Sequence, residues 1–428
     1  MKITNGKIPQ TNMKYVTVNT SCGNKVFAAI RVNVGSRDET SEYSGLAHCL
    51  EHMFFQGTSK YPTSKDLSVE LFKCDGHFNA YTSRSSTVFY IVSTKKCIDK
   101  GVEILSDAFY NSLFRESDLI KEKKVIINEI NDDLSKPSYL RWRGLNELAF
   151  KHTRLEKKIA GSKDTVNKLN TNLLKNFINT YYKKDVIISI AGNISNEKSL
   201  SLIKKYFKQN CQYPCQKIPK IINDRKRIIY TNYLFKQKKF QVKYIHNNVK
   251  QSFIGIMFPS YKSIDKKIYV IPYISGLLSG YIGSRLLKTL RDDYGLTYHV
   301  STDYSYFKDY GSLTISLSTE NDSEKILQCI RLIFYHLRDI QTNITKEEFS
   351  VVRNNMIEWS QNQKDNSIWL AETSMQELCD DGKIISLDEM IKNIKQVTIN
   401  DIKKVSRELF KKEYCSICYT AKEKTNIL

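Results

Sequence analysis

The sequence predicts an α+β chain made of two copies of one domain, and three observations carry the prediction. Short apolar strands are interleaved with amphipathic helices along the whole chain. The order of these elements repeats with a period of about 220 residues: Thr171 to Ala191 reads as helix, Lys-Lys, apolar strand, and Thr398 to Tyr419 reads the same way. Between the copies, Cys211 to Lys239 is irregular, with Pro214, Pro219 and many lysines, as an interdomain linker would be. The expected division is a first domain over 1–210, a linker over 211–239 and a second domain over 240–428.

Taken in order, Lys25 to Val34 reads as a buried strand after a Gly-Asn turn, and Gly35 to Glu42 as a polar loop. Gly45 to Thr58 follows as a helix, with Ser44 as the expected N-cap and Gly57-Thr58 as its stop. Ser64 to Lys73 is a second short helix. Gly76 to Thr82 and Ser86 to Ser93 are strands joined by a polar turn. Helices are expected over Cys97 to Leu113, Glu116 to Asp133, Pro137 to Lys151, Thr171 to Tyr182 and Asn196 to Gln209, with a strand over Asp185 to Gly192. The second half gives strands over Ser252 to Phe258, Leu296 to Phe307 and Tyr310 to Ser318. Its helices cover Lys267 to Gly280, Ser284 to Asp293, Ser323 to Ile340, Lys346 to Gln363 and Trp369 to Asp380.

Composition bounds the function. At 428 residues and 41% hydrophobic, the chain can bury large cores. It has no apolar run long enough for a transmembrane helix, and its start carries no recognisable signal or transit peptide, so cytoplasmic residence is the default expectation. The ten cysteines are scattered, as expected for reduced, buried thiols rather than a disulfide framework. The net charge of +21 is spread along the whole chain, and no nucleic-acid-binding motif localises it. No specific nucleic-acid partner is therefore expected.

Chemistry concentrates between Gly45 and Thr58. On a helix, Leu46, Leu50, Met53 and Phe54 share one side, while His48, Glu51 and His52 share the other with Phe55 beside them. Two imidazoles at i, i+4 can bind one Zn²⁺, and a carboxylate one turn after the first can reach a metal-bound water. The alternative is a surface helix that happens to carry two histidines. Further on, Glu122, Val125, Ile126 and Glu129 have the spacing of a core-facing stripe with a carboxylate at each end. Alone, that stripe reads as solvated. Beside the His helix, a metal partner becomes the simpler account, because buried carboxylates need pairing and the two histidines need a third ligand.

These residues together resemble the pitrilysin/insulinase family of zinc metallopeptidases, most closely its half-length, mitochondrial-processing-peptidase-like branch. The resemblance rests on Gly35-Ser-Arg-Asp-Glu39, on His48-x-x-Glu51-His52 within Gly45 to Thr58 (the inverzincin order), on Asn79-Ala-Tyr-Thr-Ser83, and on Glu122 and Glu129. A further stretch, Ser284 to Tyr298, resembles the family's C-terminal motif through Arg291 and Tyr298.

The resemblance implies two homologous α/β-sandwich domains, each a mixed sheet covered by helices, forming one half of a clam-like peptidase chamber. It implies one Zn²⁺ per chain, in the first domain, on His48, His52 and Glu129. Glu51 is then the general base and Glu122 the carboxylate that supports a ligand. Asn79 and Ala80 lie on an edge strand that binds extended peptide substrates, and Phe55 lines a neighbouring pocket or simply packs. Arg291 and Tyr298 assist substrate binding and catalysis from the second domain. A second half, as a homodimer or a heterodimer with a related subunit, is implied. The expected activity is that of a zinc endopeptidase; the alternative is a non-catalytic partner or structural subunit.

Overall fold

A computed structural model of the chain describes all residues except 21–22, 184, 217–236, 238 and 428, so most of the expected linker lies outside the described residues. In chain order the elements are β1 (Lys2–Lys7), β2 (Lys14–Asn19), β3 (Lys25–Val32), α1 (Leu46–Phe54), α2 (Ser64–Phe72), β4 (His77–Thr82), β5 (Thr87–Thr94), α3 (Ile98–Asn111), α4 (Glu116–Ser135) and α5 (Pro137–Ala149). Then come α6 (Lys163–Asn167), α7 (Thr171–Tyr181), β6 (Val186–Gly192), α8 (Asn196–Tyr206), β7 (Gln241–His246), β8 (Gln251–Ser260), α9 (Ile271–Ser279) and α10 (Arg285–Leu287). β9 (Val300–Tyr306), β10 (Gly311–Glu320), α11 (Ser323–Asp339), α12 (Lys346–Asn362), α13 (Ser367–Asp380), α14 (Leu387–Gln396), α15 (Ile399–Leu409) and β11 (Ser416–Ala421) complete it.

The described residues form two compact units. The first draws on Met1–Asn131, Arg154–Arg225 and Asn362–Ile384; the second on Asp132–Thr153, Lys226–Gln361 and Ile385–Leu428. The first unit contains a six-stranded sheet in the order β1-β2-β6-β3-β5-β4, in which only β2 and β6 run parallel. The second contains a five-stranded sheet, β7-β11-β8-β10-β9, in which only β7 and β11 run parallel. Removing β1 leaves the same order and the same single parallel pair in both, so the duplication read from element order is a duplication of topology.

Each sheet takes one covering helix from the opposite half of the chain. In the first unit α13 lies on β2, β3 and β6; in the second α5 lies on β7, β8 and β11. With α3 on β3 and β5 and α8 on β2 and β6, the first sheet is covered on both faces. Its central strands are accordingly near-continuous apolar runs: β6 is buried throughout, and β3 is buried from Val26 on. β4, at the open edge, alternates exposed and half-buried residues instead.

Three strands escape the sequence reading. β1 and β7 are largely unburied edge strands, β1 polar and β7 mixed in sequence; β2 is short and half-buried at its ends. The expected helix over Ser284 to Asp293 is one α-turn, α10, continuing as a π-helical turn over Lys288–Asp293. The strand expected from Leu296 starts only at Val300, so Tyr298 stands in the connection before it and is 83% exposed. All nine described cysteines are free. Among the described residues, no helix is long and apolar enough to cross a membrane.

Candidate metal centre and active site

The site is built on α1, α4 and β4, and the residues they contribute all lie within the first unit. α1 forms as its periodicity predicts: Leu46, Leu50, Met53 and Phe54 are each buried in the core, with Ala47 and Cys49 beside them. His48, Glu51 and His52 occupy the other side, half-buried. The N-terminus corrects the expectation for Ser44. The capping residue is Gly45, at φ +95°, and no side chain of its own closes the helix. The carboxylate of Glu39 does so from upstream, accepting Gly45 N–H at 2.8 Å and Ala47 N–H at 2.7 Å. Glycine is required at 45 because a Cβ there would lie 2.6 Å from the Ala160 carbonyl oxygen. Burial pushes the Glu39 carboxyl up to about 8, against the pull of its two backbone N–H bonds.

α4 brings Glu129 to the two imidazoles. Glu129 Oε2 lies 3.9 Å from His48 Nε2 and 3.5 Å from His52 Nε2. The rings sit edge to face, with centroids 4.7 Å apart, and one donor atom from each of the three residues lies within 4.8 Å of the others. Donors held at ~2.1 Å on one tetrahedral Zn²⁺ are separated by roughly 3.4 Å, so the three fit such an ion with small side-chain adjustment. Two imidazoles and a carboxylate are also ligand types that zinc accepts.

Two turns back on α4, Glu122 fixes the orientation of His52. Its Oε2 is 2.9 Å from His52 Nδ1, which turns Nε2 toward Glu129. Gln56 locks this arrangement by donating from Nε2 to Glu122 Oε1 at 3.0 Å and to the His52 carbonyl at 3.1 Å. Burial works to lower the His52 pKa, but the Glu122 hydrogen bond and the charges of Glu129, Glu51 and Glu122 outweigh it and raise the value. Glu51, one turn after His48, accepts a hydrogen bond on Oε2 from the Thr82 hydroxyl at 2.6 Å. Burial raises its pKa, opposed by that bond and by His52.

β4 supplies the open sheet edge beside these groups. Asn79 and Ala80 lie on it, and Ala80 N–H donates to Asn79 Oδ1 at 2.8 Å. Phe55 is only 6% exposed and stacks on Phe78 of β4 with ring centroids 4.4 Å apart. Arg291 and Tyr298 belong to the second unit. They meet each other, with the guanidinium 5.0 Å from the phenol ring centroid. Sequence reading did not single out Glu39, Gln56 or Thr82. Glu39 and Thr82 each lie within a quoted motif, and Gln56 follows His52 by one helical turn, which is the only signal each offered.

Fold and site together define a duplicated α/β protein with a His-His-Glu donor set in one of its two units. Known proteins place it further. A family profile described as insulinase (peptidase family M16) matches residues 14–163, and one described as the peptidase M16 inactive domain matches 168–356. The chain belongs to the M16 insulinase family. It is 28% identical to the uncharacterized zinc protease YmxG of Bacillus subtilis, over 95% of each chain. It is 33% identical to the bovine mitochondrial-processing peptidase subunit beta, over 44% of this chain and 38% of that one. A protease of Helicobacter pylori, 19% identical, shares the fold with a TM-score of 0.86, covering 98% of this chain and 99% of that one. The second profile's description as inactive agrees with the His-His-Glu donor set found among the described residues, which lies in the first unit.

Proposed function

We propose that this protein is a zinc-dependent endopeptidase that cleaves extended or unfolded peptides. The observation that supports it most is the convergence of His48, His52 and Glu129 with Glu51 held beside them. One Zn²⁺ on those three ligands would supply Lewis acidity and a water ionisable near neutral pH. Glu51 is placed to take the proton from the attacking water and pass it to the leaving amine. Glu122 keeps His52 in the tautomer and orientation a ligand needs. The open edge of β4, at Asn79 and Ala80, is suited to hold substrate as an added strand, read through its main chain. Arg291 and Tyr298 offer paired donors for a polarised carbonyl, working with a second subunit that is either another copy or a related chain, as the name of one relative, a processing-peptidase subunit, suggests.

The test is cleavage of a quenched fluorescent peptide, with zinc content measured in parallel. Glu51→Gln should retain about one zinc per chain and lose hydrolysis, and a chelator should abolish hydrolysis in the wild type. Full turnover in Glu51→Gln would remove Glu51 from the mechanism. A wild-type protein that binds no zinc and cleaves nothing would favour a non-catalytic subunit.

A further inference from the structure

We propose that Thr82 is the positioning residue for Glu51, and that through it the edge strand sets the base. The inference rests on the peptidase reading above. Thr82 is the last residue of β4 and donates its hydroxyl to Glu51 Oε2 at 2.6 Å, a short bond of the charge-assisted kind. That bond commits Oε2 to the strand and leaves Oε1 as the oxygen available to take a proton. It also removes rotational freedom from a side chain that α1 alone holds only at its Cα.

The strand end that carries this hydroxyl is itself fixed on both faces. Successive strand residues point to opposite sides, and the preceding residue, Tyr81, donates its phenol to Glu372 Oε1 at 3.0 Å, on α13. Thr82 is therefore presented from a braced position, with Phe55 stacked beneath Phe78 further along the same strand. A base aligned in this way is registered to the strand on which the peptide would lie, so the scissile carbonyl and the proton acceptor share one frame.

Thr82→Val keeps the β-branched shape and removes the hydroxyl; Thr82→Ser keeps the hydroxyl. The expected result for Thr82→Val is a drop in kcat of about 10- to 100-fold with KM and zinc content unchanged. Thr82→Ser should recover most of the rate. Crystal structures without substrate give a second readout, in which the Glu51 carboxylate of Thr82→Val should leave its wild-type position. Wild-type kcat in Thr82→Val, an equal loss in Thr82→Ser, or a Glu51 carboxylate unmoved in Thr82→Val would each overturn the proposal. Failure of the wild type to cleave peptide would instead count against the peptidase reading, and the two structures would still decide the role of Thr82.

Discussion

At the scale of single residues, the site is an arrangement of carboxylates with different duties set by their neighbours. Glu129 faces two imidazole nitrogens, Glu122 backs one of those imidazoles, and Glu51 is tied to a hydroxyl on the neighbouring strand. Glu122 is buried to 15% side-chain exposure, and both of its oxygens are satisfied, one by His52 and one by Gln56. Its removal should act on metal affinity before it acts on the fold. Glu122→Ala is expected to weaken zinc binding by about 10- to 100-fold, measured by competition with a chelating dye, while the circular dichroism spectrum stays that of the wild type. Unchanged zinc affinity would show that His52 needs no such support.

At the scale of elements, the important object is the first turn of α1. Its backbone N–H groups are claimed by Glu39, six residues before Gly45, and the turn is pressed against Ala160 where only glycine fits. The register of His48, Glu51 and His52 descends from that anchor. Because burial raises the Glu39 pKa above its unfolded value, the folded state binds this proton more tightly than the unfolded chain does. The stability this group contributes is therefore full below about 4.5 and is lost as pH rises through about 8. Urea melts of wild type and Glu39→Gln at pH 5 and pH 9 should show the wild type's relative stability falling between the two. A difference that stays constant or grows with pH would mean that Glu39 folds as the carboxylate. The π-helical turn carrying Arg291 is a second element whose detail matters, since it meets Tyr298 outside any strand.

At the scale of the whole molecule, the two units are topological copies, yet neither is built from one half of the chain. α13 is needed on the first sheet and α5 on the second. A fragment ending at 216 would lack α13 and leave apolar residues of β2, β3 and β6 facing water. It is expected to lose fixed tertiary structure and bind a hydrophobic dye, by near-ultraviolet dichroism and fluorescence, even though it holds every residue of the donor set. A cooperatively folded 1–216 fragment would show that α13 is dispensable to that sheet.

By itself the sequence determined the α+β class and the duplication, because both are written in local periodicity and element order, and residue spacing offered the candidate donor set. His48, Glu51 and His52 share a helix face by arithmetic, and Glu122 and Glu129 share another. It also placed the edge strand carrying Asn79 and Ala80. What only the tertiary structure decided is which distant groups answer them. Glu39 as cap, Gln56 on Glu122, Thr82 on Glu51, Phe55 on Phe78 and the exchange of α5 and α13 all depend on contacts between elements, and side-chain contacts of this kind leave no period in a sequence. The edge strands β1 and β7, neither of which buries a side chain fully, belong to the same category: they are strands because a neighbour pairs with them.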